Sequence, residues 1–144
     1  MAHSYANRPH SHYDHYLESE VLSADPVKLV LMLYRAAIEA TATARRHLAA
    51  GEIRERSRQI TRAWRIVREL SRSLDPQAGG EIGAELARLY PYMQRRLIEA
   101  NMHQIDAPLA EVEQLLTTLL EGWSSISAER SEAASEYESV SCSY

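Results

Sequence analysis

This chain contains no phenylalanine, so any core it builds must be mainly aliphatic, with Trp64 and Trp123 as its largest side chains. Cysteine is almost absent too. Cys142 stands alone near the end; a single thiol cannot staple the domain and fits a reducing compartment. No apolar run approaches the roughly 20 residues of a membrane span. The first residues, MAHSYANRPHSHYDHY, lack the apolar stretch of a secretory signal. Basic residues are not in excess: the formal charge is −4, which argues against a general nucleic-acid binder. Glycine and proline, at five each in 144 residues, fall mostly in clusters, and no segment alternates cleanly with a period of two. These absences leave a one-domain, soluble, cytoplasmic, all-α protein as the expectation.

What is present agrees with that. Asp25-Pro26 reads as an N-cap followed by proline at the first helical position, opening a helix that Gly51 stops. Further helices are expected over about 52–74, 81–103 and 106–127, separated by Asp75-Pro76 with Gly79-Gly80 and by Asp106-Ala107-Pro108. The third carries Ile82, Leu86, Leu89, Met93, Leu97 and Ala100 at 3–4 spacing, and Pro91 inside it predicts a kink. In the fourth, Leu109, Val112, Leu116, Leu119, Trp123 and Ile126 form a similar seam. Four amphipathic helices with short connections predict an antiparallel up-down-up-down four-helix bundle over residues 24–127. Residues 1–23 are expected to form a flexible N-terminal arm. Residues 128–144, rich in Ser and Glu, are expected to be a disordered tail.

Helix two divides its faces. Ile60, Ala63, Trp64, Val67, Leu70 and Leu74 share one side; Arg54, Arg58, Arg62, Arg65, Arg68 and Arg72 share the other, with Arg56 an exception on the apolar side. The arginine face could meet nucleic acid or an acidic partner, but a solvated face balanced by acids on neighbouring helices is the simpler reading.

Helix one is harder to accommodate. In DPVKLVLMLYRAAIEA, Leu29 to Tyr34 are all apolar. Leu29, Leu33, Ala36, Ala40 and Ala44 form one stripe and Val27, Leu31, Tyr34 and Ile38 another, leaving only a narrow polar arc. Either both stripes lie in the core, or one faces the core and the other floors a groove for an apolar segment. On the second reading the groove residues are Val27, Leu31, Tyr34 and Ile38, joined by Trp64 and Val67, which equally suit the core. Leu31 and Ile38 would each gain about 1.5–3 kcal/mol on being fully covered. The chain carries a candidate cover in Tyr13, Tyr16, Leu17, Val21 and Leu22, tethered just before the helix.

No catalytic or metal constellation is apparent, and no cofactor is expected. His3, His10, His12 and His15 lie in the arm without a paired cysteine; no Glu-x-x-His motif occurs, since His103 follows Glu99 by four; no nucleophile elbow or P-loop is present.

Three blocks, ADPVKLVLMLYRAAI, SLDPQAGGEIGAEL and LYPYMQRRLIEAN, occur in this order. Together they resemble the flagellar secretion chaperone family FliS over about Tyr13 to Ile126. That resemblance implies an antiparallel helical bundle in the bacterial cytoplasm. Its implied partner is the disordered, amphipathic C-terminal segment of newly made flagellin, kept from early polymerisation and delivered to the flagellar export apparatus. Other flagellar regulators are further candidate partners. In the family an N-terminal segment can lie over part of the binding surface, and Tyr13 and Tyr16 resemble that element. Asp25 stands where Ser is common, and Arg35-Ala36 replaces a frequent Asn-Gly or Asp-Gly pair. From the residues alone, a self-associating interaction bundle, monomer or homodimer, stays open as the alternative.

Overall fold

The computed structural model describes residues 26–74 and 80–142. Among these described residues four helices follow in order, α1 (Pro26–Ala49), α2 (Ile53–Ser73), α3 (Gly80–His103) and α4 (Ala107–Ser141), and no strand. Asp25, the 75–79 connector and the whole N-terminal arm lie outside the described residues.

Contacts between helices fix an antiparallel bundle. Arg45, near the end of α1, meets Asp106 and Glu113 at the start of α4, whereas Tyr34 meets Trp123 further along it. Ser57 at the start of α2 bonds Asn101 at the end of α3, and Tyr92 in α3 reaches Glu111 in α4. Helix α1 packs on α2 and α4, and α3 packs on the same two. The pairs α1/α3 and α2/α4 therefore lie across the core from each other, the up-down-up-down arrangement that the short connections dictate.

The turn from α1 to α2 shows why Gly51 is where it is. The Glu52 N–H bonds the His47 carbonyl at 2.9 Å and the Gly51 N–H bonds the Leu48 carbonyl at 3.2 Å. This Schellman pattern requires left-handed backbone, and Gly51 has φ +73°. The α3–α4 turn meets the same demand at Gln104, φ 54°, without glycine. Asp106 precedes α4, but its side chain makes no capping bond; Arg45 holds it instead.

Apart from Tyr34 and Tyr90, the core is small-residue and aliphatic. Ala37, Ala40, Ala44, Ala63 and Ala100 are fully buried and let the helices approach closely, while Val67, Met93, Leu97, Leu109, Val112 and Leu116 fill the volume. The α2 seam is as expected: Ile60, Ala63, Val67 and Leu70 are buried, Trp64 and Leu74 pack at the edge, and the arginine face is exposed. Two expected core positions are not in the core. Ile82 is 69 % exposed, because Gly83, Leu86, Tyr90, Met93, Leu97 and Ala100 form the buried row one position over. Ile126 is 40 % exposed. The helical assignment of α3 runs unbroken through Pro91.

The expected disordered tail is corrected. Helix α4 continues past residue 127 to Ser141, giving 35 residues against 24 in α1, or about 52 Å against about 36 Å. Residues 128–142 are all exposed. The segment SAERSEAASEYESVS has no helix breaker and is rich in Ala and Glu, so local propensity prolongs a helix that the bundle has already nucleated.

Candidate functional site

The structure places the expected groove residues unequally. Tyr34 and Val67 are wholly buried, Leu31 is 7 % exposed and Val27 9 %, while Ile38 and Trp64 are half-buried at the edge of the core. Tyr34 and Val67 are thus core residues within the bundle, and this part of the expectation is corrected. The stripe assigned to the groove is the one that faces inward. Leu29, Leu33 and Ala36, the stripe assigned to the core, are half-buried, and only Ala40 and Ala44 of that set are sealed. Tyr13, Tyr16, Leu17, Val21 and Leu22 lie outside the described residues.

A polar contact explains why the tyrosine stripe turned inward. The Trp123 indole N–H donates to the Tyr34 hydroxyl at 3.2 Å, and the Tyr34 and Tyr90 hydroxyls bond each other in the middle of the bundle. Leu33 has no such group to satisfy. Burial raises the pKa of both phenols above the ordinary 10.0, so both stay protonated at neutral pH.

The apolar surface the sequence reading missed lies between α2 and α3. Ile60, Thr61, Trp64, Ile98, Asn101 and Met102 line a groove of about 210 Å³. Ile98 is 47 % exposed and Met102 70 %. They follow each other by one turn, off the α3 seam, and that i, i+4 spacing was the available signal. The Ser57 hydroxyl donates to Asn101 Oδ1 at 2.8 Å and braces the groove at one end. The Arg68 guanidinium lies 5.4 Å from the Trp64 ring centre, flanking the indole with charge.

Two arginines tie helices together. Arg45 grips Asp106 through two bonds of 2.8 and 3.0 Å and Glu113 at 2.9 Å, joining α1 to α4. Its guanidinium holds the Asp106 carboxyl below the usual carboxylate range. Arg96 spans Glu99 at 2.5 Å and Glu111 at 3.3 Å, and the Tyr92 hydroxyl donates to Glu111, which pushes the Tyr92 phenol up. Among the described residues, no three His, Cys, Asp or Glu side chains converge as metal ligands. No described helix is long and apolar enough to cross a membrane.

A rigid all-helical bundle, with ion pairs spent on holding helices together and an apolar groove on its flank, defines a protein-binding module of the interaction class. Comparison with known proteins makes that specific. Residues 9–130 match the family described as flagellar protein FliS. The chain is 38 % identical over 116 residues to the flagellar secretion chaperone FliS of Salmonella typhimurium, covering 80 % of this chain and 86 % of that protein. It is 37 % identical over 111 residues to the flagellar secretion chaperone FliSB of Pseudomonas aeruginosa, covering 77 % and 88 %. Over 111 residues it is 30 % identical to the FliS of Bacillus subtilis, covering 77 % and 82 %. The chain belongs to the FliS family, a family of chaperones and not of enzymes.

Proposed function

We propose that this protein is a cytoplasmic export chaperone for flagellin. It binds the disordered, amphipathic C-terminal segment, keeps flagellin from polymerising early and presents it to the flagellar export apparatus. The observation that carries this reading is exposed apolar surface on a rigid bundle of this family: Ile98 at 47 % and Met102 at 70 % beside half-buried Trp64. The half-buried outer strip of α1, Leu29, Leu33 and Ala36 with Ile38 on its flank, extends the apolar surface available to a long wrapped segment. Each half-exposed residue would gain roughly 1 kcal/mol on being covered. Affinity accumulates over many such contacts, against the entropy of ordering the segment. Tyr13, Tyr16, Leu17, Val21 and Leu22 would cover part of this surface until the client arrives.

Calorimetry with a synthetic flagellin C-terminal peptide tests the reading. Binding with a negative heat-capacity change is expected. Ile98→Glu with Met102→Glu should weaken it by at least about tenfold, since each buries a charge on docking, while leaving the fold intact. Deleting residues 1–22 should leave affinity unchanged or raise it. A peptide with intact amphipathic pattern that shows no heat and no co-elution would remove the assignment's support.

A further inference from the structure

Arg56 sits on the apolar side of α2, one turn before Ile60, and is only 3 % exposed. Its Nε is sealed without a hydrogen-bond partner. None of the hydrogen bonds or ion pairs between described residues involves its guanidinium. The guanidinium, largely buried, is left without a counter-charge among the described residues.

None of the carboxylates that chain position brings to this end of the bundle pairs with Arg56, and Glu55 beside it is exposed. Asp106 and Glu113 are on Arg45, Glu52 is 3.5 Å from His47, and Glu99 is on Arg96. Helices α1 and α3 both end here. Their negative dipole ends offset part of the charge but offer no fork-shaped acceptor.

The place of Arg56 relative to the groove gives the orphan charge a use. Ser57, its neighbour, bonds Asn101, and Asn101 and Ile60 line the groove between α2 and α3. Arg56 precedes the α2 residues of the groove by one turn, at the end of the bundle where α1 and α3 finish and α2 begins. The geometry points to a carboxylate-binding site at that end: Arg56 receives a carboxylate of the client, either the free chain terminus or an acidic side chain, as a two-pronged charged pair. This rests on the chaperone reading above and adds polarity to it, because an apolar groove alone does not fix which way a segment lies in it.

The test is calorimetry on the full chain with the flagellin C-terminal peptide in three forms: free acid, C-terminal amide, and free acid with its Asp and Glu changed to Asn and Gln. Each form is measured against wild type, Arg56→Met and Arg56→Lys. Methionine replaces an unpaired buried charge with an apolar chain, which buried ion sites commonly tolerate, and lysine keeps the charge without the fork. Removing a charge-assisted pair should weaken wild-type binding about ten- to a hundredfold. A penalty on amidation that disappears in Arg56→Met assigns the site to the chain end. A penalty on neutralising the side chains that disappears assigns it to an acidic residue. Wild-type binding indifferent to both changes, or penalties of equal size in all three proteins, overturns the proposal while leaving the chaperone reading in place. No binding of any form removes both.

Discussion

Replacing Tyr34 and Tyr90 by phenylalanine, singly and together, tests the inward orientation of α1 most directly. The indole N–H of Trp123 and the two hydroxyls bring three hydrogens to two oxygens, and no further bond between described residues engages either hydroxyl. One hydrogen is therefore unused in the wild type. In Tyr90→Phe the hydroxyl pair is lost, Trp123 keeps its acceptor, and the number of unused hydrogens is unchanged; the cost should be about 0.5–1.5 kcal/mol. In Tyr34→Phe both bonds go, and the Trp123 N–H and the buried Tyr90 hydroxyl are stranded together. That should cost about 2–4 kcal/mol, reduced if water reaches the half-buried indole. Adding Tyr90→Phe to Tyr34→Phe removes a stranded hydroxyl, so the double variant should be more stable than Tyr34→Phe alone by about 1 kcal/mol. Urea unfolding gives all three values, provided the m-values match. Peptide affinity should stay within about twofold throughout, because the hydroxyls lie inside the bundle. Equal costs for the two single changes that sum in the double would refute the shared-acceptor account. A tenfold loss of peptide affinity in folded Tyr34→Phe would return Tyr34 to the binding surface.

Other perturbations follow from single features. Gly51→Ala forces a Cβ into left-handed backbone and should cost about 1 kcal/mol, whereas Gln104→Gly should stabilise by a similar amount, both read by urea unfolding. Ending the chain after residue 127 removes only exposed helix, so the thermal midpoint should hold while helical circular dichroism falls; a midpoint drop of more than about 5 °C would mean the tail packs on the bundle. Asp106→Asn breaks a half-exposed pair and should cost about 0.5–1 kcal/mol at pH 7. Because the folded Asp106 pKa is lowered, that contribution is present above the unfolded carboxylate range and lost as pH falls through the folded value, so the two proteins should converge in strong acid. Tyr34 and Tyr90 have folded pKa values raised above 10.0. The unfolded chain therefore gives up these protons first, and stability should fall above about pH 10, less steeply in the double phenylalanine variant.

How far the fold could be read depended on how one-sided each helix was. On α2 the arginines and the apolar residues point opposite ways, so the buried face, its length and the Gly51 stop were legible without coordinates. On α3 the apolar residues are denser than one seam needs. The buried row took Gly83 and Tyr90 in place of Ile82 and Leu89, and the surplus Ile98 and Met102 became groove. On α1 both stripes are apolar, and a helical wheel cannot rank them. What decided was a hydrogen bond across the bundle from Tyr34 to Tyr90, 56 residues away, which no local pattern encodes. The α4 extension was misjudged for the opposite reason: composition alone suggested disorder, but a continuous helix with no breaker needs no partner once nucleated.

The resolution of α1 also says where the apolar excess of this chain went. Neighbours on two sides, α2 and α4, absorb most of it, and the core closes over Tyr34, Ala37, Ala40 and Ala44 without a wholly exposed large side chain among residues 29–34. Apolar area left open between α2 and α3 comes from Trp64, Ile98 and Met102, on helices whose inner faces are packed. A binding surface carried on elements that are already ordered loses little freedom on docking. On the proposed reading the entropy cost then falls on the client, which would order piece by piece against the groove. A segment held that way can be peeled off in steps as export pulls on it, each step giving up only the contacts of a few residues, so the chaperone need not unfold to let go.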